Sequence, residues 1–171
     1  MQKYHLKPGK IIVLALSSPN KINDIKLVEF FSAIKEDHPR SNDNFLVKIH
    51  PARNYDEYRW INDIYNIELL PHDMPYPDFI NIVDILLAHT SGIAAEVLYY
   101  NKKVGILDIL DESPGNGIEL NKYFNVPFIK QTTDYKELYM SEKQEIGTKL
   151  FYKVANDAST AIQEVIIKQI V

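Results

Sequence analysis

Short runs of aliphatic residues, separated by longer segments with a helical period, organise the chain. Ile11-Ile12-Val13-Leu14-Ala15-Leu16 is a continuous apolar run of the kind that forms a strand buried on both faces. Ser17-Ser18-Pro19-Asn20 breaks it. Ile22, Ile25, Leu27-Val28, Phe30-Phe31 and Ile34 then recur at close to a helical period, which predicts a helix ending before Pro39. Phe45-Leu46-Val47-Lys48-Ile49 predicts a second strand, stopped by His50-Pro51. Residues 55–64 look helical, and Ile67-Glu68-Leu69-Leu70 reads as a third short strand. Pro71, Pro75 and Pro77 punctuate the loop that follows, and a short helix is expected near 78–83. Ile85-Leu86-Leu87-Ala88, Lys103-Val104-Gly105-Ile106-Leu107 and residues 126–129 read as further strands. A helix from Ile93 to about Tyr100 lies between the first two of these, and residues 108–117 read as a loop. From about Thr133 onward helical spacing returns, and Ala155, Ala158, Ala161-Ile162, Val165-Ile166 and Ile170 predict a C-terminal helix over about 144–170.

Strands alternating with helices at this spacing imply βαβ units. The expected fold is α/β: a Rossmann-like, three-layer domain with a parallel sheet of about six strands and helices on both faces. The length of 171 residues corresponds to a single such domain, 1–171. A 46% apolar and 25% charged composition is that of a globular chain. The net charge of −4 and pI near 5.7 provide no basic stripe, so no nucleic-acid partner is expected. With no cysteine, disulfides, a thiol nucleophile and cysteine-ligated zinc are excluded. The polar N-terminus has no signal-peptide character, and no apolar run reaches the length of a membrane span, so a cytoplasmic location is expected.

In open parallel sheets ligands bind beside the carboxyl ends of the strands. That nominates Ser17-Ser18, His50-Pro51, His89-Thr90-Ser91-Gly92 and Asp108. Thr90-Ser91-Gly92 leads into a helix whose first N–H groups lack intrahelical partners, and those donors together with the helix dipole suit a phosphate or diphosphate. Thr and Ser are equally ordinary N-caps. Glu96 lies one turn into the same helix among apolar neighbours, where it could take a ribose diol or be an ordinary surface glutamate. His50 is the candidate catalytic residue: its imidazole could donate to a phosphate or shuttle a proton, or simply bond a neighbouring carbonyl. Arg53 could assist with an anion or be solvated. Neither G-x-G-x-x-G, a P-loop, a G-x-S-x-G elbow nor an H-x-x-x-H pair is present, and Pro71-His72-Asp73 lacks further local ligands. No metal and no cofactor are expected.

Lys48-Ile49-His50-Pro51, then Asp84-Ile85-Leu86-Leu87-Ala88-His89-Thr90-Ser91-Gly92 with Glu96, then Lys103-Val104-Gly105-Ile106-Leu107-Asp108, resemble the C-terminal, donor-binding half of GT-B-fold sugar-transfer enzymes. The nearest families are the CDP-glycerol glycerophosphotransferases and the capsule polysaccharide synthesis proteins. The resemblance implies a nucleotide-activated sugar or polyol as ligand, with His50 and the Ser91-Gly92 turn on its diphosphate, Glu96 on its ribose, and Ser17-Ser18 facing the cleft between two halves. Those families usually carry Asp-Tyr before paired serines where this chain has His89-Thr90 before Ser91-Gly92, which leaves the substrate open. UDP-N-acetylglucosamine 2-epimerases share the His-Pro strand end and a similar turn and are the alternative, as is a non-catalytic nucleotide-binding module. A GT-B enzyme completes its site with an N-terminal half. The resemblance therefore implies a partner domain or chain, nucleotide binding without turnover on its own, and membrane association, if any, only peripherally through that partner.

Overall fold

The computed structural model describes residues 6–17, 20–38, 40, 42–90 and 92–142. The expected helix over 144–170 and the residues Ser18 and Ser91 lie outside them. The strands are β1 (Ile11–Leu16), β2 (Asn44–Ile49), β3 (Glu68–Leu69), β4 (Ile85–Ala88), β5 (Lys103–Leu107) and β6 (Phe128–Ile129). The helices are α1 (Lys21–Glu36), α2 (Trp60–Tyr65), α3 (Tyr76–Ile82), α4 (Gly92–Tyr99), α5 (Asn116–Phe124) and α6 (Thr132–Met140). All strand pairs are parallel, in the order β3-β2-β1-β4-β5-β6. The Rossmann-like three-layer architecture follows directly from this order and from the helices on the two faces.

The period of two along β1 divides the core. Ile12, Leu14 and Leu16 join Leu27, Val28, Phe31 and Ile34 of α1 and Tyr135 and Leu138 of α6 on one face. Ile11, Val13 and Ala15 join Phe79 of α3, Val97 and Leu98 of α4 and Leu120 of α5 on the other. A central strand enclosed by both helix layers has to be apolar at every position, which accounts for the unbroken run.

Two elements depart from the sequence expectation. The loop expected over 108–117 gives way at Asn116 to α5, which the sequence reading omitted altogether. Gly115, Gly117 and Asn125 make that segment look like a turn, yet they mark its ends: Gly115 has φ +54° at the N-cap and Asn125 closes the helix at φ 53°. Residues 55–64 are a 3₁₀ turn over Tyr55–Tyr58 followed by α2, not one continuous helix.

Lys103 fixes α6 to the sheet. Its buried ammonium donates to the carbonyls of Leu138 and Tyr139, each at 2.9 Å, and to that of Ser141. These are orphan acceptors at a helix C-terminus, where positive charge is also favoured by the dipole. Lys103→Met keeps the stem but strands the carbonyls, and should cost about 2 kcal/mol in urea unfolding. An unchanged midpoint would show that water replaces the ammonium without loss.

Candidate functional site at the sheet's switch point

Strand order reverses between β1 and β4, whose chains leave the sheet in opposite directions and open a crevice there. A cleft of about 420 Å³ occupies this position. The ends of β1 and β2 contribute Ser17, Lys48 and His50; the β4–α4 turn contributes Thr90 and Gly92, and α4 itself Glu96. Three separated segments nominated from the sequence, and Glu96 of the helix that follows the last of them, are thus brought to one cleft. The Ser17 hydroxyl donates to the Thr90 carbonyl and ties the two sides of the switch point together.

His50 is exposed, and its Nδ1 accepts the Ala52 N–H at 3.1 Å. That bond assigns the neutral ring's proton to Nε2, leaving a donor directed away from its own loop. Gly92 begins α4. A Cβ built there meets nothing within 4 Å among the described residues, so the fold itself places no demand for glycine at this position. Lys48 alternates with Val47 and Ile49 and therefore shares the face of Leu46. Its half-buried ammonium sits 5.3 Å from the Phe79 ring centre, and desolvation pulls its pKa below the usual lysine value. It is the one lysine or arginine among the described residues lining the cleft.

The segment between β3 and α3 adds His72 and Met74, and the first residue of α3 adds Tyr76; the sequence suggests only a proline-punctuated loop here, with His72 weighed as a metal ligand. His72 Nε2 donates to the Pro51 carbonyl at 3.1 Å. Tyr76 donates its hydroxyl to Glu96; burial and then this bond drive the phenol well above its ordinary pKa. Glu96 is exposed rather than buried among its apolar neighbours, because Ala94, Val97 and Leu98 carry the buried face of α4. The signal for this segment was available: β3 ends on the same rim as the other strands.

Other nominated groups are elsewhere. Asp108 follows β5, one strand beyond the switch point, where its carboxylate lies 3.1 Å from Lys130 Nζ. His89 is buried and donates Nδ1–H to the Leu107 carbonyl at 2.8 Å, which makes it a clasp between β4 and β5. Arg53 places its charge near Asp24 and Tyr58, where Tyr58 donates to Asp24 at 2.8 Å. Among the described residues no group of three or more His, Asp or Glu could hold a metal ion, and no helix is long and apolar enough to cross a membrane.

No family model matches the sequence, and no curated protein matches it. Solved structures do. The wall teichoic acid polymerase TagF with CDPG superposes with a TM-score of 0.56 at 12% identity, over 98% of this chain and 43% of that one. The S. aureus MnaA–UDP co-structure gives 0.54 at 14% identity, over 95% and 48%. The fold is that of one half of a GT-B structure. Methanocaldococcus jannaschii UDP-GlcNAc 2-epimerase, in complex with UDP-GlcNAc and UDP, matches at 0.52 and 10% identity, over 91% and 46%. The chain spans less than half the length of each of these three proteins.

Proposed function

We propose that this cleft binds the nucleoside diphosphate part of an activated sugar or polyol, as the donor-binding half of a surface-polysaccharide glycosyltransferase or glycerophosphotransferase. The observation that carries the reading is the convergence of Ser17, His50, Gly92 and Glu96 on one cleft at the switch point, with Lys48 beneath it. In this reading the diphosphate lies across the start of α4 and accepts hydrogen bonds from its free N–H groups. His50 Nε2–H donates to a non-bridging oxygen, and the Lys48 ammonium supplies the positive charge. Ser18 and Ser91 keep the donor-binding roles that the sequence suggests. Glu96 accepts from a ribose hydroxyl, with Tyr76 holding the carboxylate in place.

Charge developing on a departing nucleoside diphosphate would be stabilised by the same donors, the electrostatic part of a group transfer. An acceptor and a base have to come from another domain or chain, so the isolated chain binds without turnover. The neighbours named with UDP and with CDPG support the ligand class. The named 2-epimerase keeps an epimerase half as a second reading with the same nucleotide chemistry.

The test is a thermal-shift and calorimetric titration with CDP and UDP. A ligand at a hundred times its Kd should add about 2.7 kcal/mol, roughly 5–10 °C in Tm for a chain of this size. His50→Ala should weaken binding about tenfold or more, the worth of one hydrogen bond to a charged oxygen. Absence of any shift with either nucleotide would overturn the proposal.

A further inference from the structure

A pocket of about 210 Å³ lies at the opposite pole of the sheet from the cleft, where Lys10 leads into β1, Asp84 leads into β4 and Lys103 begins β5. Among the described residues, the three ammonium groups of Lys10, Lys102 and Lys103 line it against the single carboxylate of Asp84. The chain as a whole carries a net charge of −4, so positive charge is concentrated here against the overall balance. We propose that this pocket is an anion site, separate from the cleft, which takes a small phosphate-type ligand of two or more negative charges on Lys10 and Lys102.

The bonding of each charged group separates those that hold the fold from those left for a ligand. Asp84 Oδ2 accepts the Ile11 N–H at 2.9 Å, which commits the one acid to the backbone. Lys103 spends its ammonium protons on the carbonyls of Leu138, Tyr139 and Ser141, so it adds charge to the pocket but no donor. Lys10 Nζ sits 4.0 Å from the Tyr139 ring centre, a contact that places the ammonium without neutralising it. Its charge reaches Lys103, whose pKa is pulled down first by burial and then by Lys10. Lys10 and Lys102 are both half-buried, and among the described residues neither is paired with a carboxylate. A partly enclosed pocket lined by one sign of charge focuses the potential and concentrates counter-ions. A multivalent oxyanion bridging the two lysines restores, as charge-assisted hydrogen bonds, the hydration that their burial removes. Asn101, on the same lining, offers an uncharged donor. With half the volume of the cleft, the pocket suits a phosphate or pyrophosphate rather than a whole nucleotide.

The cleft is itself assigned a diphosphate, so the experiment closes it first. Inorganic pyrophosphate is titrated calorimetrically into the full chain carrying Gly92→Val, and into the same chain with Lys10→Gln and Lys102→Gln added. The Gly92→Val chain should bind pyrophosphate, more weakly as sodium chloride is raised. Adding the two glutamines should cost about tenfold or more in affinity, the worth of one hydrogen bond to a charged partner. Lys10→Arg with Lys102→Arg should retain binding. Melts of the wild type provide a second measurement that does not need Gly92→Val. Sodium phosphate should raise its Tm more than sodium chloride at equal ionic strength, and Lys102→Gln alone, which removes no bond of the fold, should reduce that difference. Phosphate also stabilises proteins by exclusion from their surface, so the loss in the variant is the reading that counts. Absence of pyrophosphate binding by a folded Gly92→Val chain overturns the proposal. Undiminished binding after both lysines are replaced, or an equal phosphate gain in wild type and Lys102→Gln, does the same. Each of these results leaves the nucleotide cleft at the other pole untouched.

Discussion

Asp43→Ala is expected to lower the unfolding free energy by about 3–5 kcal/mol, the range for removing one member of a buried charged network. Asp43 stands just before β2, at the end of the sheet opposite the cleft, and its side chain is only 4% exposed. One carboxylate oxygen accepts the Lys10 N–H at 2.8 Å; the other accepts His38 Nε2–H and the Tyr139 hydroxyl, each at 2.8 Å. Tyr135 Oη lies 3.2 Å from the other nitrogen of His38. The start of β1, the residues after α1, the approach to β2 and helix α6 are therefore tied at one carboxylate. Removing it leaves an imidazole and a phenol without their acceptor in a packed aromatic cluster. Nucleotide affinity below the melting range should not change, since no cleft residue touches the knot.

The same group sets the response to acid. Burial by itself would raise the Asp43 pKa, but the bonds from His38, Tyr139 and Lys10 outweigh it, and the value ends below the usual carboxylate range. The folded chain therefore holds this carboxylate ionised more firmly than the unfolded chain, whose aspartate titrates near pH 3.9. The stabilisation is complete above that pH and is lost as pH falls through the depressed folded value. On the alkaline side, burial and then the bond to Asp43 push Tyr139 up to about 12. An unfolded tyrosine ionises near pH 10, so stability contributed by the neutral phenol declines between about pH 10 and 12. Circular-dichroism melts from pH 7 to 2 should show a shallower acid slope for Asp43→Ala than for the wild type. Parallel slopes would assign acid unfolding to other carboxylates.

The central strands were legible because burial on both faces forces unbroken aliphatic runs, and β1 and β4 carry them. Helix α5 was not, since the residues that start and stop it, Gly115, Gly117 and Asn125, are turn formers in any local reading. The edge strands β3 and β6 have two residues each, and both fall inside the apolar stretches 67–70 and 126–129 that predict them. Strand-end logic anticipated that Ser17, His50 and Gly92 line one cleft, because the carboxyl ends of parallel strands share a rim whatever the intervening sequence does. Asp108 also stands at a strand end, but one strand beyond the reversal, where Lys130 engages it. The same logic fell short at Tyr76, whose place depends on how a proline-rich loop folds back towards α4. No local pattern encodes the bond between Tyr76 and Glu96, which are twenty residues apart.

Gly92→Val should abolish most nucleotide binding while leaving the fold intact. The position is the first residue of α4, and the space into which a side chain would project is empty of described atoms within 4 Å. The two branches of valine would stand in that space and hold a diphosphate away from the N–H groups behind them. Losing even two such bonds to charged oxygen, each worth about 1.5 kcal/mol or more, weakens binding by at least about 150-fold. The fold should barely respond. Glycine is a poor helix residue, and valine's lower backbone entropy in the unfolded chain offsets its own modest helix penalty, so Tm should stay within about 2 °C. Gly92→Ala, with a single methyl, should fall between the two and melt slightly higher than the wild type. Calorimetry with CDP and UDP beside thermal melts separates the alternatives. Full affinity in Gly92→Val would remove the phosphate from the α4 N-terminus. A large drop in Tm would instead mean that the glycine serves the fold.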